Sequence, residues 1–432
     1  MKLLAVGDMH LGRQPARLDV LAREGLEARQ LGPAKAWRRV VEHAVTQNVD
    51  AVVLAGDVVE QEDDFYEAYA DLRAGVERLT NAGVQVAAVA GNHDVKVLPR
   101  LADAVPGFTL LGRGGRWEAK PLRSAAGDML ELIGWSFPES VVRSSPLAAA
   151  AAQGFWAELA SLRHPKLGLL HCDRDQPGSR HAPVRARELN EAPVDGWLLG
   201  HIHRADPLVG PRPIGYLGSL CGLDPGEPGP HGPWLVEVTA HGLRLELVPL
   251  APLRWETLDV RVDGLGAAED VHPQVTRALD ELHRRLAAEA HQPRAVGCRV
   301  RFVGRTSLRH ALERALHADD PRHSPQPRDG IYYFVHAWEL RALPPVDLAH
   351  LAQGQDPAAL LARRIQLLRG PDTPEKQRLV ERAEQRLADV AARPHFATLA
   401  NGPLGSERIV DILEAAAWRA LDALWAQKEG PG

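Results

Sequence analysis

Five polar clusters occur in fixed order along the first half of the chain, and each one interrupts an apolar run: Asp8-Met9-His10, Gly56-Asp57, Gly91-Asn92-His93-Asp94, His171, and Gly200-His201-Ile202-His203. A polar cluster at the end of a β-rich run belongs in the loop that follows a strand, and strand carboxyl ends are where α/β folds bind ligands. The donors are carboxylate oxygen, amide oxygen and imidazole nitrogen, a set that suits two borderline divalent cations. Asp57 stands between the other ligands in sequence and can supply an oxygen shared by both. Two such cations, about 3.5–4 Å apart, can activate a bridging hydroxide and clamp the oxygens of an in-line displacement at phosphorus.

Taken singly, the clusters say less. An Asp and a His two apart are commonly a turn cap and a surface residue, and Gly-Asp is an ordinary turn dipeptide. Asn92-His93-Asp94 says more, because Asn oxygen is an uncommon metal ligand and a following His-Asp pair offers an acid with an orienting carboxylate. Ordered occurrence of all five, each at a strand end, is what carries the reading.

The frame around them is an α/β pattern. Short β-rich runs lie at Lys2–Val6, Ala51–Leu54, Val84–Ala90, Met129–Ile133, Leu167–Leu170 and Gly196–Leu199, and helical periodicity marks Ala34–Val45, Tyr66–Leu79 and an Ala-rich Pro146–Leu162. Tyr216–Pro233 is dense in Gly and Pro and reads as a long ordered loop, followed by a hairpin around Ala240-His241-Gly242. A second unit opens near Arg254 with a strand over Thr257–Val262, a helix over Val271–Ala290 and a strand over Val296–Val303, and is broken by Pro321, Pro325 and Pro327. Beyond Pro344-Pro345 the pattern is helical, with Thr373-Pro374 as N-cap and first-turn proline and a last helix from near Ser406. The expected domains are 1–253, a small α+β unit at 254–345, and a helical region at 346–432.

Length and composition narrow the classes. A chain of 432 residues with 45% hydrophobic and 25% charged residues is an ordinary globular protein of two or three domains. No apolar run approaches the roughly 20 residues that span a bilayer, and the apolar start is cut off at Gly7-Asp8, short of a signal peptide. The three cysteines form no CxxC pair, so the expected compartment is the cytoplasm. A net charge of −5 excludes coating of nucleic acid by overall charge, while leaving room for a local patch. Arg294, Arg299, Arg301, Arg305, Arg309 and Arg314 fall in one stretch opposed in sequence by Glu313 alone. Arg299, Arg301, Arg305 and Arg309 are therefore the candidate DNA contacts, with an amphipathic strand and its ordinary solvated face as the competing reading.

Gly7-Asp8-Met9-His10-Leu11-Gly12, Gly91 to Asp94, Leu199-Gly200-His201-Ile202-His203-Arg204 and Tyr216-Leu217-Gly218-Ser219 leading to Trp234–Val238 resemble the calcineurin-like metallophosphoesterases, and among them the SbcD-type DNA repair exonucleases. The resemblance covers about the first 250 residues. It implies a four-layer αββα sandwich followed by an accessory α+β domain and C-terminal helices, with two divalent metal ions, usually manganese. It implies Asp8, His10, Asp57 and His203 at one metal and Asp57, Asn92, His171 and His201 at the other, with His93 as the catalytic histidine and Asp94 holding its ring. It further implies cleavage of DNA phosphodiesters, exonucleolytic with endonuclease capacity, and partnership with an SbcC-type coiled-coil ATPase docked on the C-terminal helices. Family members also dimerise through the phosphoesterase domain. The sequence departs from the pattern at Glu60, where many relatives carry Asp, and at Cys172-Asp173, where small hydroxyl residues are frequent. Two alternatives stand beside this reading: a small-molecule phosphodiesterase or phosphatase using the same metals, and a non-catalytic scaffold.

Overall fold

Four parallel strands, β1 (Lys2–Val6), β2 (Ala51–Ala55), β3 (Gln85–Val89) and β4 (Phe108–Leu110), are joined by helices α1 (Pro33–Thr46), α2 (Phe65–Asn81) and α3 (Val97–Ala104). This is seen in a computed structural model that describes residues 1–428 apart from 17, 19–20, 22–24, 62–64, 177, 240–241, 319, 321, 323–324 and 392–405. The chain then builds a second sheet. Its strand β5 (Glu118–Arg123) pairs antiparallel with β6 (Met129–Trp135), and β6, β7 (Lys166–His171), β8 (Gly196–Gly200) and β9 (Ile214–Tyr216) run parallel. A returning hairpin, β10 (Trp234–Thr239) and β11 (Gly242–Leu247), adds to the first sheet antiparallel to β1.

Strands such as Ala51-Val52-Val53-Leu54-Ala55 are buried along their whole length, as parallel strands covered on both faces must be. Leu3, Ala5 and Val53 of the first sheet pack against Leu130, Leu132, Leu169 and Leu198 of the second. On the outer face of the first sheet, Trp37, Val40, Leu72 and Val76 of α1 and α2 cover Leu4, Val52 and Val86. Over the second sheet, Leu147, Leu159 and Leu189 from helices α4 (Pro146–Ala152), α5 (Phe155–Ala160) and α6 (Ala186–Glu191) cover Leu170, Trp197 and Leu199. Helix, sheet, sheet and helix thus form the expected four layers. Each buried Leu or Val contributes about 1.5–3 kcal/mol relative to exposure, so these cores hold the two sheets face to face.

The segment that follows forms its own sheet, in the order β12 (Leu253–Arg261), β13 (Ala295–Val303), β15 (Ile331–Leu340), β14 (Gln326–Arg328), backed by α7 (Val271–Ala287) and α8 (Arg309–Ala318). Val260, Val275, Leu279, Val300, Phe302 and Tyr333 belong to its core. Overall the chain divides into two compact units, residues 1–304 with 308–342, and residues 305–307 with 343–432. The second unit holds α9 (Leu348–Leu351), α10 (Pro357–Arg369), α11 (Pro374–Ala391) and α12 (Ser406–Lys428), with Ala358, Ile365 and Leu421 at its centre. Thr373 Oγ1 accepts from Lys376 N at 3.3 Å, as an N-cap does. Among the described residues no helix is long and apolar enough to cross a membrane.

The structure departs from sequence expectation at several elements. The Ala-rich helix over Pro146–Leu162 is two helices, because Gly154 takes φ 77° and breaks the first before Phe155 starts the second. Strands β4, β5, β9, β14 and β15 were not expected; β5 carries Pro121 and lies at the end of its sheet, where a missing N–H is tolerated. Pro325 and Pro327, expected to break the second unit, instead sit beside and within a hairpin. Pro327 lies in β14 at the sheet's outer edge, opposite Tyr332, and Asp329-Gly330 make the two-residue turn with φ 45° and 84°. Pro321, and residues 240 and 241 of the expected Ala240-His241-Gly242 turn, lie outside the described residues.

Candidate metal centre

The five clusters converge because β1, β2 and β3 end side by side, as do β7 and β8, and the two sheets stack with β2 and β3 against β7. The loops are stitched together beyond the strands. His10 N donates to Asp57 O at 2.9 Å, Leu11 N to Val58 O at 2.9 Å, and Glu60 N to Leu11 O at 3.0 Å. Four of the ligand positions take left-handed backbone: Asp8 at φ 32°, His10 at 51°, Asp57 at 47° and His201 at 104°. Such conformations cost of order 1–3 kcal/mol each in non-glycine residues and persist where surrounding structure imposes them. The glycines of the motifs make room: a Cβ on Gly91 would collide with the Asp57 side chain, and one on Gly200 with the Ala55 carbonyl and the His171 ring.

Three groups of ligand atoms result among the described residues, one from Asp8, His10 and His203, a second from Asp57, His171 and His201, and a third, sharing His10 with the first, from His10, Glu60 and His93. In the first, His10 Nε2 and His203 Nε2 lie 3.0 Å apart. Glu60 Oε2 stands 2.7 Å from His10 Nδ1, bent away from ideal hydrogen-bond geometry, and Glu227 Oε1 stands 2.6 Å from His203 Nδ1. A carboxylate can only accept, so each favours the proton on Nδ1 and leaves a lone pair on Nε2. The two lone pairs face each other. In the second group, His171 Nδ1 lies 3.1 Å from the Ala55 carbonyl oxygen, which likewise accepts only, while its Nε2 is 3.1 Å from Asn92 Oδ1 and 3.2 Å from Asp57 Oδ2. Acceptors converge on acceptors in a buried setting, an arrangement that repels itself unless a proton or a cation sits among them. The donor set therefore fits divalent cations, and Asn92 Oδ1 lies beside the second group.

Charge and burial compete at these residues. Burial pushes the Asp8 carboxyl above its ordinary range, against His171. Burial also acts upward on Asp57, but His171, His10 and His93 outweigh it and hold that carboxyl well below the usual range. Burial acts downward on His171, and the neighbouring Asp57 and Asp8 more than reverse it, to about 9. His201 is depressed to about 4 by burial and by His171, so its ring is neutral at physiological pH.

His93 is placed differently. Its ring is exposed, outside the first two groups but in the third with His10 and Glu60, with Nδ1 2.9 Å from the Glu60 carbonyl oxygen and ring centroid 5.3 Å from that of His10. Its backbone N donates to Asp57 Oδ1 at 3.0 Å. Asp94 does not hold this ring. Its buried carboxylate accepts from Val58 N at 2.6 Å and Gly91 N at 2.7 Å, clamping the Asp57 and Asn92 loops, and the contact that orients His93 is the Glu60 carbonyl.

Sequence reading missed Glu227 and left the roles of Asp173 and Glu60 undefined. Glu227 lies in the Gly/Pro-rich loop with no motif around it; Asp173 Oδ1 is 3.2 Å from His201 Nε2. Asp173 also accepts a short hydrogen bond from Ser179 Oγ. The arginine stretch is also not what its sequence implied. Arg299 pairs with Glu339 at 3.1 Å and Arg301 with Asp259 at 2.6 Å, both acids arriving on neighbouring strands. Arg305 pairs with Asp422, and Arg309 donates to the Ala342 carbonyl. The acids are remote in sequence, so Glu313 is not the only opposing charge.

Residues 1–205 match the family model of calcineurin-like phosphoesterases, which supports placing this region in the metallophosphoesterase superfamily. Over 228 residues the chain is 25% identical to the uncharacterized metallophosphoesterase YhaO of Bacillus subtilis (strain 168), covering 52% of this chain and 54% of YhaO. Over 286 residues it is 28% identical to the DNA double-strand break repair protein Mre11 of Methanosarcina mazei, covering 65% of this chain and 43% of Mre11. The chain thus spans about half the length of these curated relatives. Among solved structures, a dimetal phosphatase from Danio rerio aligns with TM-score 0.37 and 12% identity over 58% of this chain and 96% of that one.

Proposed function

We propose that this chain is a two-metal DNA repair nuclease of the SbcD type, an exonuclease with endonuclease capacity, using manganese. One observation carries the catalytic part: imidazole and carboxylate acceptors face one another at the strand ends, with His93 open beside them. The DNA part is supported by the likeness to Mre11. Its 286 aligned residues exceed the stretch that ends with β11 at Leu247, so the likeness reaches past the first two sheets.

Asp8, His10 and His203 would hold one cation and Asp57, Asn92, His171 and His201 the other, with Asp57 common to both. Bound there, such cations supply an activated water and neutralise phosphate oxygens. The chain does the rest. Glu60 and Glu227 keep His10 and His203 in the tautomer that leaves Nε2 available. With its Nδ1 beside the Glu60 carbonyl, the exposed His93 ring leaves Nε2 outside that contact, where it can deliver a proton to a leaving oxygen or stabilise charge on the phosphorus centre. Asp94 clamps the backbone from which Asp57 and Asn92 project.

The same proposal places an SbcC-type coiled-coil ATPase on the C-terminal helices. Support comes from a groove of about 410 Å³ between α11 and α12, lined by Leu379, Leu387, Val390, Ile409 and Ile412. A homodimer is part of the proposal and is read by sedimentation. The test of function compares a chromogenic diester, a cyclic nucleotide and end-labelled DNA, each with manganese. Processive release of nucleotides from DNA is expected. Rapid turnover of the small substrates with intact DNA would favour a small-molecule phosphodiesterase, and no turnover of any would favour a scaffold.

A further inference from the structure

The loop between β9 and β10 joins one half of the metal centre to the third sheet. Glu227 sits at its middle, with Oε1 2.6 Å from His203 Nδ1 and Oε2 accepting from Leu223 N at 2.9 Å. A second link comes from Ser219, whose backbone N donates to His203 O at 2.9 Å. His231 braces the loop from within, its Nε2 3.1 Å from Glu227 O and its Nδ1 3.0 Å from Ser219 O. The loop is then fastened to β12: Trp255 Nε1 donates to Gly222 O at 3.0 Å, and Gly229 N donates to Trp255 O at 2.8 Å. Trp255 is 1% exposed, so its indole N–H has no water to turn to. A Cβ on Gly222 would stand 3.1 Å from the Trp255 ring and 3.0 Å from Glu227 O, so indole and loop are packed without slack.

We propose that Glu227 is the positioning residue for His203, and that Trp255 latches the Glu227 loop so that the third sheet holds the Asp8, His10 and His203 group in register. This deepens the two-cation reading and rests on it. The carboxylate fixes the Nδ1–H tautomer and the ring angle, and presents the Nε2 lone pair toward His10. Losing such a partner typically costs 10- to 100-fold in metal affinity. Among the described residues the Asp57, His171 and His201 group makes no hydrogen bond or ion pair with Glu227 and keeps its own partners, the Ala55 carbonyl and Asp173. One of the two sites should therefore weaken and the other stay.

The test measures manganese binding by calorimetry and, in the metal-free protein, the His203 tautomer by proton–nitrogen NMR. Wild type should bind two ions and show the His203 proton on Nδ1. Glu227→Ala should weaken one ion about 10- to 100-fold, spare the other, and scramble the tautomer. Glu227→Gln keeps an accepting oxygen but not the charge, so it should keep the tautomer and lose affinity at that site by a smaller factor. Trp255→Phe keeps the buried ring without the N–H, and should weaken the same site by a few-fold. Unchanged affinities in Glu227→Ala, or a wild-type proton on Nε2, would overturn the positioning role while leaving the two-cation reading intact. A wild type that binds no manganese would overturn both. If Glu227→Ala fails to fold, Glu227→Gln decides, and affinities equal to wild type at both sites would refute the proposal.

Discussion

The carboxyl edges of the first two sheets and the strand faces of the third sheet are both crowded with charge, yet the charge is arranged in opposite ways. On the strands of the third sheet the arginines meet answering acids. Arg299 meets Glu339, Arg301 meets Asp259, and the buried Arg254 is held by Glu256 at 2.7 Å and Glu289 at 2.9 Å. At the edges of the first two sheets, acceptor faces acceptor: His10 against His203, and His171 against Asn92 and Asp57. Four of the residues there also hold left-handed backbone. Electrostatics satisfied within the chain signals a fold being held together; electrostatics left open, on strained backbone, signals a place completed by something from outside.

That contrast breaks most visibly at Asp57, which the proposal makes common to both cations. Asp57→Asn should abolish binding of both cations and slow turnover by more than about 1000-fold, equivalent to roughly 4 kcal/mol of barrier. Elemental analysis beside a cleavage assay measures it, and two ions retained in the variant would count against the shared ligand. His93 sharpens the contrast, as the residue of the open region to which the proposal gives proton transfer rather than a cation. His93→Ala should keep both ions and lose about 100- to 10,000-fold in turnover; persistent cleavage would remove His93 as the acid.

Acidity should act on the open region first. In the metal-free chain His171 is raised to about 9, burial acting against the rise and Asp57 and Asp8 prevailing. At neutral pH its proton must leave when a cation enters, so apparent affinity should climb with pH toward about 9 and fall on acidification, and activity with it. The sign for stability is opposite. A folded pKa above the unfolded value of about 6.5 means that the proton-linked stability of the metal-free chain is complete below that value. It is lost as pH rises through about 9. Thermal melts of metal-free protein across that range read it directly, and an activity profile flat down to about pH 5 would contradict the ligand reading.

The smallest effect belongs to the satisfied region. Replacing Arg299, Arg301, Arg305 and Arg309 with Gln should change the salt slope of DNA binding by less than about one, because these groups are already engaged by the chain. Loss of the exposed Arg301–Asp259 pair should cost under about 1 kcal/mol after solvent screening. A slope reduced by about 3 to 4 would restore the arginines as phosphate contacts.

What the sequence discloses follows the same division. Candidate ligands lie in contiguous motifs at the ends of apolar runs, so the grouping of Asp8 with His10 and His203 and of Asp57 with His171 and His201 was legible, with the layers that carry them. The partners of those ligands are set by folding. Glu227 is 24 residues from His203, and Glu60 reaches His10 across two loops. The arginine stretch misled for that reason, since its acids lie 40, 42 and 117 residues away. Asp329-Gly330 was a legible hairpin signal, masked by the prolines around it.

The account turns on whether cations occupy the edge where the two sheets meet. Crystals soaked in manganese, with anomalous diffraction recorded at the manganese edge, should show two peaks flanking the Asp57 carboxylate. One should touch His10 and His203 and the other His171, Asn92 and His201. No peak, or peaks ligated by other side chains, would contradict it.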